Sequence, residues 1–186
     1  GRVREALPGE VRIQWWHDAL AGGEEASAGH PVASALCRVI ARHHLPPDAF
    51  ERYLDARIFD LYDDPMPSRG DLEGYCGETA SAIIQLAALI LEPEAAPAFA
   101  AAAGHAGCAQ GISGILLSLP LHRARGQCFI PADILAAAGT DRDGFLANSD
   151  AAASRRAVAA MVALGREHLA RLARRQPARV CCGSAS

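Results

Sequence analysis

The chain has 186 residues, 51% of them hydrophobic and 21% charged, which is enough for one folded domain with its own core and excludes an intrinsically disordered protein. A formal net charge of −3 leaves no overall field to recruit nucleic acid. All 18 basic residues are arginine, which excludes Schiff-base lysine chemistry and the phosphate lysine of a Walker loop.

Alanine is abundant and aromatic residues make up only 5%, so composition leans to an all-α fold. Apolar residues recur at helical spacing almost throughout. Val11, Trp15, Trp16, Ala19 and Leu20 predict a first amphipathic helix. Adjacent tryptophans cannot both face one core, so one is expected to pack and the other to lie at a groove or partner surface. Val32, Ala35, Leu36, Val39, Ile40 and His43 predict a second helix after Pro31. A third, with Pro46 and Pro47 at its start, carries Phe50, Tyr53, Leu54, Ile58 and Leu61 and ends at Pro65 and Pro67. His17, His43 and His44 show no metal-ligand spacing and read as capped or solvated.

A long fourth helix is predicted from about residue 71 to 91. Its second half, AIIQLAALIL, is apolar nearly all round, which predicts a place at the centre of the fold. Pro97 opens a fifth, mostly apolar helix that Pro120 kinks or ends. A short helix follows from Pro131 to Ala138, closed by Gly139. The last helix is expected from Ser149 or Asp150 to about Arg175. The domain is thus read as 1–175, and the aperiodic tail 176–186 as flexible. The opening GRVREAL falls in mid-pattern, as in a fragment of a longer product.

Cys37, Cys76, Cys108, Cys128, Cys181 and Cys182 form no CxxC pair and no Cys/His ligand set, so they read as thiols in a reducing compartment. No uninterrupted apolar run reaches about 18 residues and no signal peptide is recognised. These features predict a cytoplasmic protein. The arginines of the last helix read first as a solvated face, with an acidic partner or anionic lipid as the alternative.

Two segments could carry chemistry. Asp60 and Asp64 are four residues apart and would share a helix face, which makes them weak candidates for a hard cation. Acids at a helix C-terminus oppose the helix dipole, so a partner such as Arg57 or Arg69 is expected. The segment GYCGETAS places Tyr75 and Thr79 on one face with Glu78 near it, and Gly74 and Gly77 would let another helix or a ligand approach the backbone.

In order and spacing, DLYDDP, DLEGYCGETASAI and GQCFIP resemble the squalene/phytoene synthase family, and the likeness covers roughly residues 1–172. Tyr75 and Cys76 match the family's Tyr-Cys motif, which lines the prenyl cavity, and Thr79 and Ser81 match it loosely. The family's second diphosphate-binding helix carries Arg-Asp, a second Asp four residues on, and then Gly-Arg-x-Tyr-Leu-Pro. Gly126, Phe129, Ile130 and Pro131 keep that frame. The aspartates fall on Ser118 and His122, the helix arginine on Leu117, and the arginine after glycine on Gln127. The family's first aspartate-rich motif would precede Gly1.

The resemblance implies an all-α isoprenoid-synthase-like bundle lacking its N-terminal part. It also implies an apolar cavity where Tyr75, Thr79, Ser118, His122 and Arg125 bind a prenyl or lipid-like ligand. Ser118 supplies no charge and His122 is a poor magnesium ligand, so no catalytic residue, cofactor or metal site is assigned. The pattern looks most like a degenerate branch of the family, with bacterial members, that includes a respiratory complex I assembly factor. A protein partner and peripheral membrane contact are therefore expected, and nucleic acid is not. Two rivals stand beside this reading: a magnesium-dependent prenyl-diphosphate condensing transferase, and a structural helical module without a ligand.

Overall fold

A computed structural model describes residues 3–62 and 66–175, and among these there are helices and no strand. Asp64, the second candidate cation ligand, and the tail 176–186 lie outside the described residues. Helix α1 (Val3–Ala26) is interrupted at Gly23, whose φ of 69° only glycine adopts freely. α2 (Pro31–His43) and α3 (Pro47–Ile58) each begin with proline in the first turn, and α3 tightens into a 3-10 turn at Phe59–Leu61. A continuous helical run follows: α4 (Arg69–Cys76), a π turn (Gly77–Ser81) and α5 (Ala82–Leu91). Then come α6 (Ala96–Leu117), α7 (Leu119–Ala124), α8 (Ala132–Ala137), α9 (Arg142–Ala147) and α10 (Ala151–Arg175).

The cap chemistry explains several boundaries. Ser68 Oγ accepts the Asp71 amide at the start of α4, and Asp150 accepts the Ala152 and Ala153 amides ahead of α10. Helix α9 was not expected. Asp141 caps it by accepting the Gly144 amide at 2.7 Å, and Asn148 ends it in the left-handed conformation. Pro120 does not end the helical path. It starts α7 after a break at Ser118, so the chain turns there.

As expected, the 69–91 run and α6 pack side by side, with α10 on the other flank of α6. The close approach is made by glycines of α6 rather than by Gly74 and Gly77, around which an added Cβ would meet nothing. A Cβ on Gly107 would lie 2.3 Å from the Ser81 backbone nitrogen, and one on Gly111 would lie 2.6 Å from Cys76 Sγ. Cys76 and Ser81 are five apart, whereas Gly111 and Gly107 are four apart. In an α-helix residue 81 would be rotated about 140° from residue 76. The π turn absorbs one residue, which returns Ser81 to within about 40° of Cys76 and lets both meet α6.

The core lies where α4, α6, α8, α9 and α10 converge, around Leu72, Ile112, Ile130, Leu135, Phe145 and Met161. Helix α5 is not at the centre as its composition suggested. Leu86 is its buried residue, while Ile83 is 51% and Leu91 81% exposed. A helix apolar all round still has only the neighbours that the chain brings to it, and here α6 covers one side. The run Arg69–Leu91 is long and apolar enough to cross a membrane by length and composition, with Asp71, Glu73 and Glu78 in its first half. Its first half buries Leu72, Cys76, Thr79 and Ser81 against protein, while its second half is largely uncovered.

A polar chain also ties three helices together. Glu73 of α4 contacts His168 Nε2 of α10 at 2.9 Å, and His168 Nδ1 lies 3.1 Å from His105 Nδ1 of α6. Arg69 pairs with Glu73 and with Glu167, so it is not the partner of Asp60. At the other end of the molecule α1 packs on α2 and α3. Trp15 and Trp16 do not divide between core and surface. Both rings pack on His30, at 4.8 and 5.3 Å, and His30 Nδ1 caps α2.

Candidate functional site

A cavity of about 680 Å³ opens between α3, the π turn, α6 and α7, within the size range of small-molecule sites. Tyr75 and Thr79 from one segment of the sequence and Ser118, His122 and Arg125 from another all line it, as does Asp60. Apolar walls come from Ile83, Ile115, Met66 and Phe129. Gly111 and Gly114 keep the α6 side open, and a Cβ on Gly114 would meet nothing.

Each polar group is positioned by local structure. The Tyr75 hydroxyl donates to Asp60 at 2.8 Å and accepts from Arg57 at 2.9 Å, and Arg57 pairs with Asp60 at 3.0 Å. Burial pushes the Tyr75 phenol far up, and the Asp60 carboxylate adds to this against the opposing Arg57 cation. Tyr75 therefore stays a neutral donor. Thr79 Oγ1 donates to the Tyr75 carbonyl at 2.6 Å, so its methyl group is what it offers the cavity. The break between α6 and α7 sets Ser118 and His122 one turn apart, and the His122 ring packs on Phe129 at 4.6 Å.

Burial, helped by the Arg125 cation, lowers the His122 pKa, so the imidazole is neutral near pH 7. His122 Nδ1 is covered and has no hydrogen-bond partner. A buried polar atom left unpaired is costly, and this one is closed to a cavity ligand as the ring stands. The site can hold a polar head by hydrogen bonds from Ser118 and the other ring nitrogen of His122 beside the Arg125 cation, with an apolar chain along Ile83, Ile115 and Phe129.

Magnesium does not fit these residues. Among the described residues Asp60 is the one carboxylate that lines the cavity, and it is engaged by Arg57 and Tyr75. Mg²⁺ requires oxygen ligands, with several carboxylates when it bridges a diphosphate. Among the described residues no group of three or more His, Cys, Asp or Glu is arranged for a metal ion.

The profile of the squalene/phytoene synthase family matches residues 1–181. The chain belongs to the squalene/phytoene synthase family. Within it, similar proteins include "NADH dehydrogenase (ubiquinone) complex I, assembly factor 6" of Rattus norvegicus, 33% identical over 145 residues, covering 77% of this chain and 43% of that protein. The Homo sapiens protein of the same name is 32% identical over 145 residues, with the same coverage. The chain therefore spans less than half the length of these curated relatives. Squalene synthase HpnC from Alicyclobacillus acidocaldarius has the same fold, with a TM-score of 0.68 over 89% of this chain and 61% of that one, at 23% identity. The expected all-α isoprenoid-synthase-like architecture is the one observed.

Other residues that line the cavity were not singled out as ligand-binding from sequence. Arg57 was foreseen only as a partner for Asp60, and Gln127 and Phe129 only as frame positions. Gln110 also lines the cavity. Its signal was available, since it is one of few polar residues in a helix made mostly of small and apolar ones. Glu78, expected near the Tyr75 face, pairs instead with Arg52 at 3.2 Å.

Proposed function

We propose that this chain is a degenerate squalene/phytoene synthase-type protein that holds a prenyl or other lipid-like ligand and does not condense prenyl diphosphates. One observation carries the reading: the cavity keeps apolar walls and polar head-binding groups, yet among the described residues its one lining carboxylate, Asp60, is already paired. A diphosphate leaving group needs cations positioned at it in the transition state. Arg125 and a neutral His122 bind an anion but do not replace a metal cluster. The likeness to complex I assembly factors supports a second element of the proposal, an assembly role with a protein partner. The proposed location is cytoplasmic, with contact at the membrane periphery.

The test joins binding to turnover. Farnesyl diphosphate and farnesol should each raise the melting temperature of the protein without Mg²⁺. Incubation with farnesyl diphosphate and Mg²⁺ should release no pyrophosphate above the buffer rate. Gly114→Leu, which fills the cavity from a position with free space, should abolish the thermal shift while leaving helicity intact. Pyrophosphate release that needs both protein and Mg²⁺, and is lost in Asp60→Asn, would establish the condensing enzyme instead. Absence of any ligand effect would leave the structural helical module.

A further inference from the structure

The structure has a second concavity, of about 900 Å³, away from the cavity described above. It runs along the outer face of α10 and is walled by α7. Its α10 residues extend from Ala151 to Arg166 at the three- and four-residue intervals of one helix face. That face is about 22 Å long, four turns of helix. Val158 and Val162 form the apolar floor with Leu119 of α7, and Ala159 and Ala163 leave the α10 backbone approachable.

The charged side chains that line this groove have one sign, and Asp150 lies beside its N-terminal end, where it caps α10. Arg123, Arg155 and Arg166 line it and no carboxylate does. The arginines of α10 fall into two groups. Arg171 pairs with Glu167, and Arg156 donates to the Ala138 carbonyl. Arg155 and Arg166 form no ion pair among the described residues, though Asp150 lies near Arg155. Arg155 stands one turn inside one end of the groove and Arg166 at the other end, about three turns apart. Arg123 is fixed in the wall, donating to the Phe145 carbonyl at 2.9 Å over the Phe145 ring. Two covered polar atoms there lack partners, Arg123 Nε and Ser154 Oγ, and Ser154 is only 5% exposed.

We propose that this groove is a docking site for an acidic amphipathic helix of a partner protein. A helix of about 15 residues matches its length, small residues on α10 allow close packing of the two axes, and acidic side chains would meet Arg155 and Arg166. A membrane surface fits less well. Leu119, Val158 and Val162 are recessed, and no aromatic side chain lines the groove, whereas lipid-inserting faces project such groups. The chain's own tail, QPARVCCGSAS, has no acidic side chain to complement the arginines.

The probe is a fluorescein-labelled 18-residue peptide of heptad-spaced leucine and alanine flanked by glutamate, with a lysine-for-glutamate version as control. Fluorescence anisotropy on the full chain should show saturable binding of the acidic peptide and none of the basic one. The double variant Arg155→Glu/Arg166→Glu should weaken binding at least tenfold. Arg174→Glu, an exposed change on the same helix outside the groove, should leave it within twofold. Hydrogen exchange should show peptide-dependent protection over 151–166. Absent binding, or equal loss in Arg174→Glu, would overturn the proposal. Two other results would also overturn it. One is partition onto phosphatidylcholine vesicles with 30% phosphatidylglycerol that the double variant abolishes while the peptide fails to bind. The other is self-association in sedimentation that the double variant abolishes.

Discussion

At the scale of single residues, the helix contact between α6 and the 69–91 run depends on two missing side chains. Gly107 sits against the backbone of Ser81, so even a methyl group there displaces main chain rather than a flexible tip. Gly107→Ala should destabilise the protein by about 1–3 kcal/mol despite alanine's higher helix propensity. Gly104→Ala, three residues earlier on α6 with free space around its Cβ, should be neutral or slightly stabilising. Paired urea melts of the two variants check this, and equal midpoints would refute the contact. The sequence marked glycines as the means of close approach but assigned that role to Gly74 and Gly77. Composition shows where a backbone is bare, and only the neighbour's position shows which bare backbone is used.

Among elements, the Glu73–His168–His105 chain joins α4, α10 and α6 and makes their association pH-dependent. Burial, the facing His168 and the cations of Arg175, Arg171 and Arg174 lower the His105 pKa. Burial would raise the Glu73 carboxyl, but hydrogen bonds from His168 and Arg69 outweigh it and hold the group low. The unfolded chain therefore takes up protons at both positions at higher pH than the folded one. Stability is full above about pH 6.5 and falls with acidification, first through the histidine range and then through the carboxylate range. Melting temperatures between pH 8 and pH 4 should show this decline. His105→Gln should flatten the part between pH 7 and 5.5 and leave the lower part in place. None of this was legible in the sequence, because the three residues are 32 and 63 positions apart in sequence and on different helices.

For the whole molecule, the helices and their order were legible because apolar periodicity and proline positions mark them locally. The family frame went further and placed Tyr75, Thr79, Ser118, His122 and Arg125 around one cavity, which all five line. Depth was not legible. The most apolar segment, 82–91, is peripheral, and the core forms instead around Phe145, on a helix that sequence periodicity did not reveal. A six-residue helix is too short to display a period, and its caps were its only signal. The consequence is an exposed apolar surface at Ile83, Leu91, Leu117 and Leu121, with Leu117 83% exposed. The native protein should bind anilinonaphthalene sulfonate, and Leu91→Gln/Leu117→Gln should reduce the signal at unchanged circular dichroism.

The π turn at Gly77–Ser81 also sets which kinds of genetic change this fold can absorb. Because it counts five residues against four on α6, it works as a vernier, and its setting depends on chain length rather than on side-chain identity. Substitutions within the turn alter one contact each. Loss of a single codon there would close the turn into regular α-helix, with Ser81 still facing Gly107 and Ile83 still facing the cavity, whereas one more inserted residue would rotate everything downstream by about 100°. The segment can therefore lose a residue but not gain one, a one-sided tolerance that a surface loop does not impose.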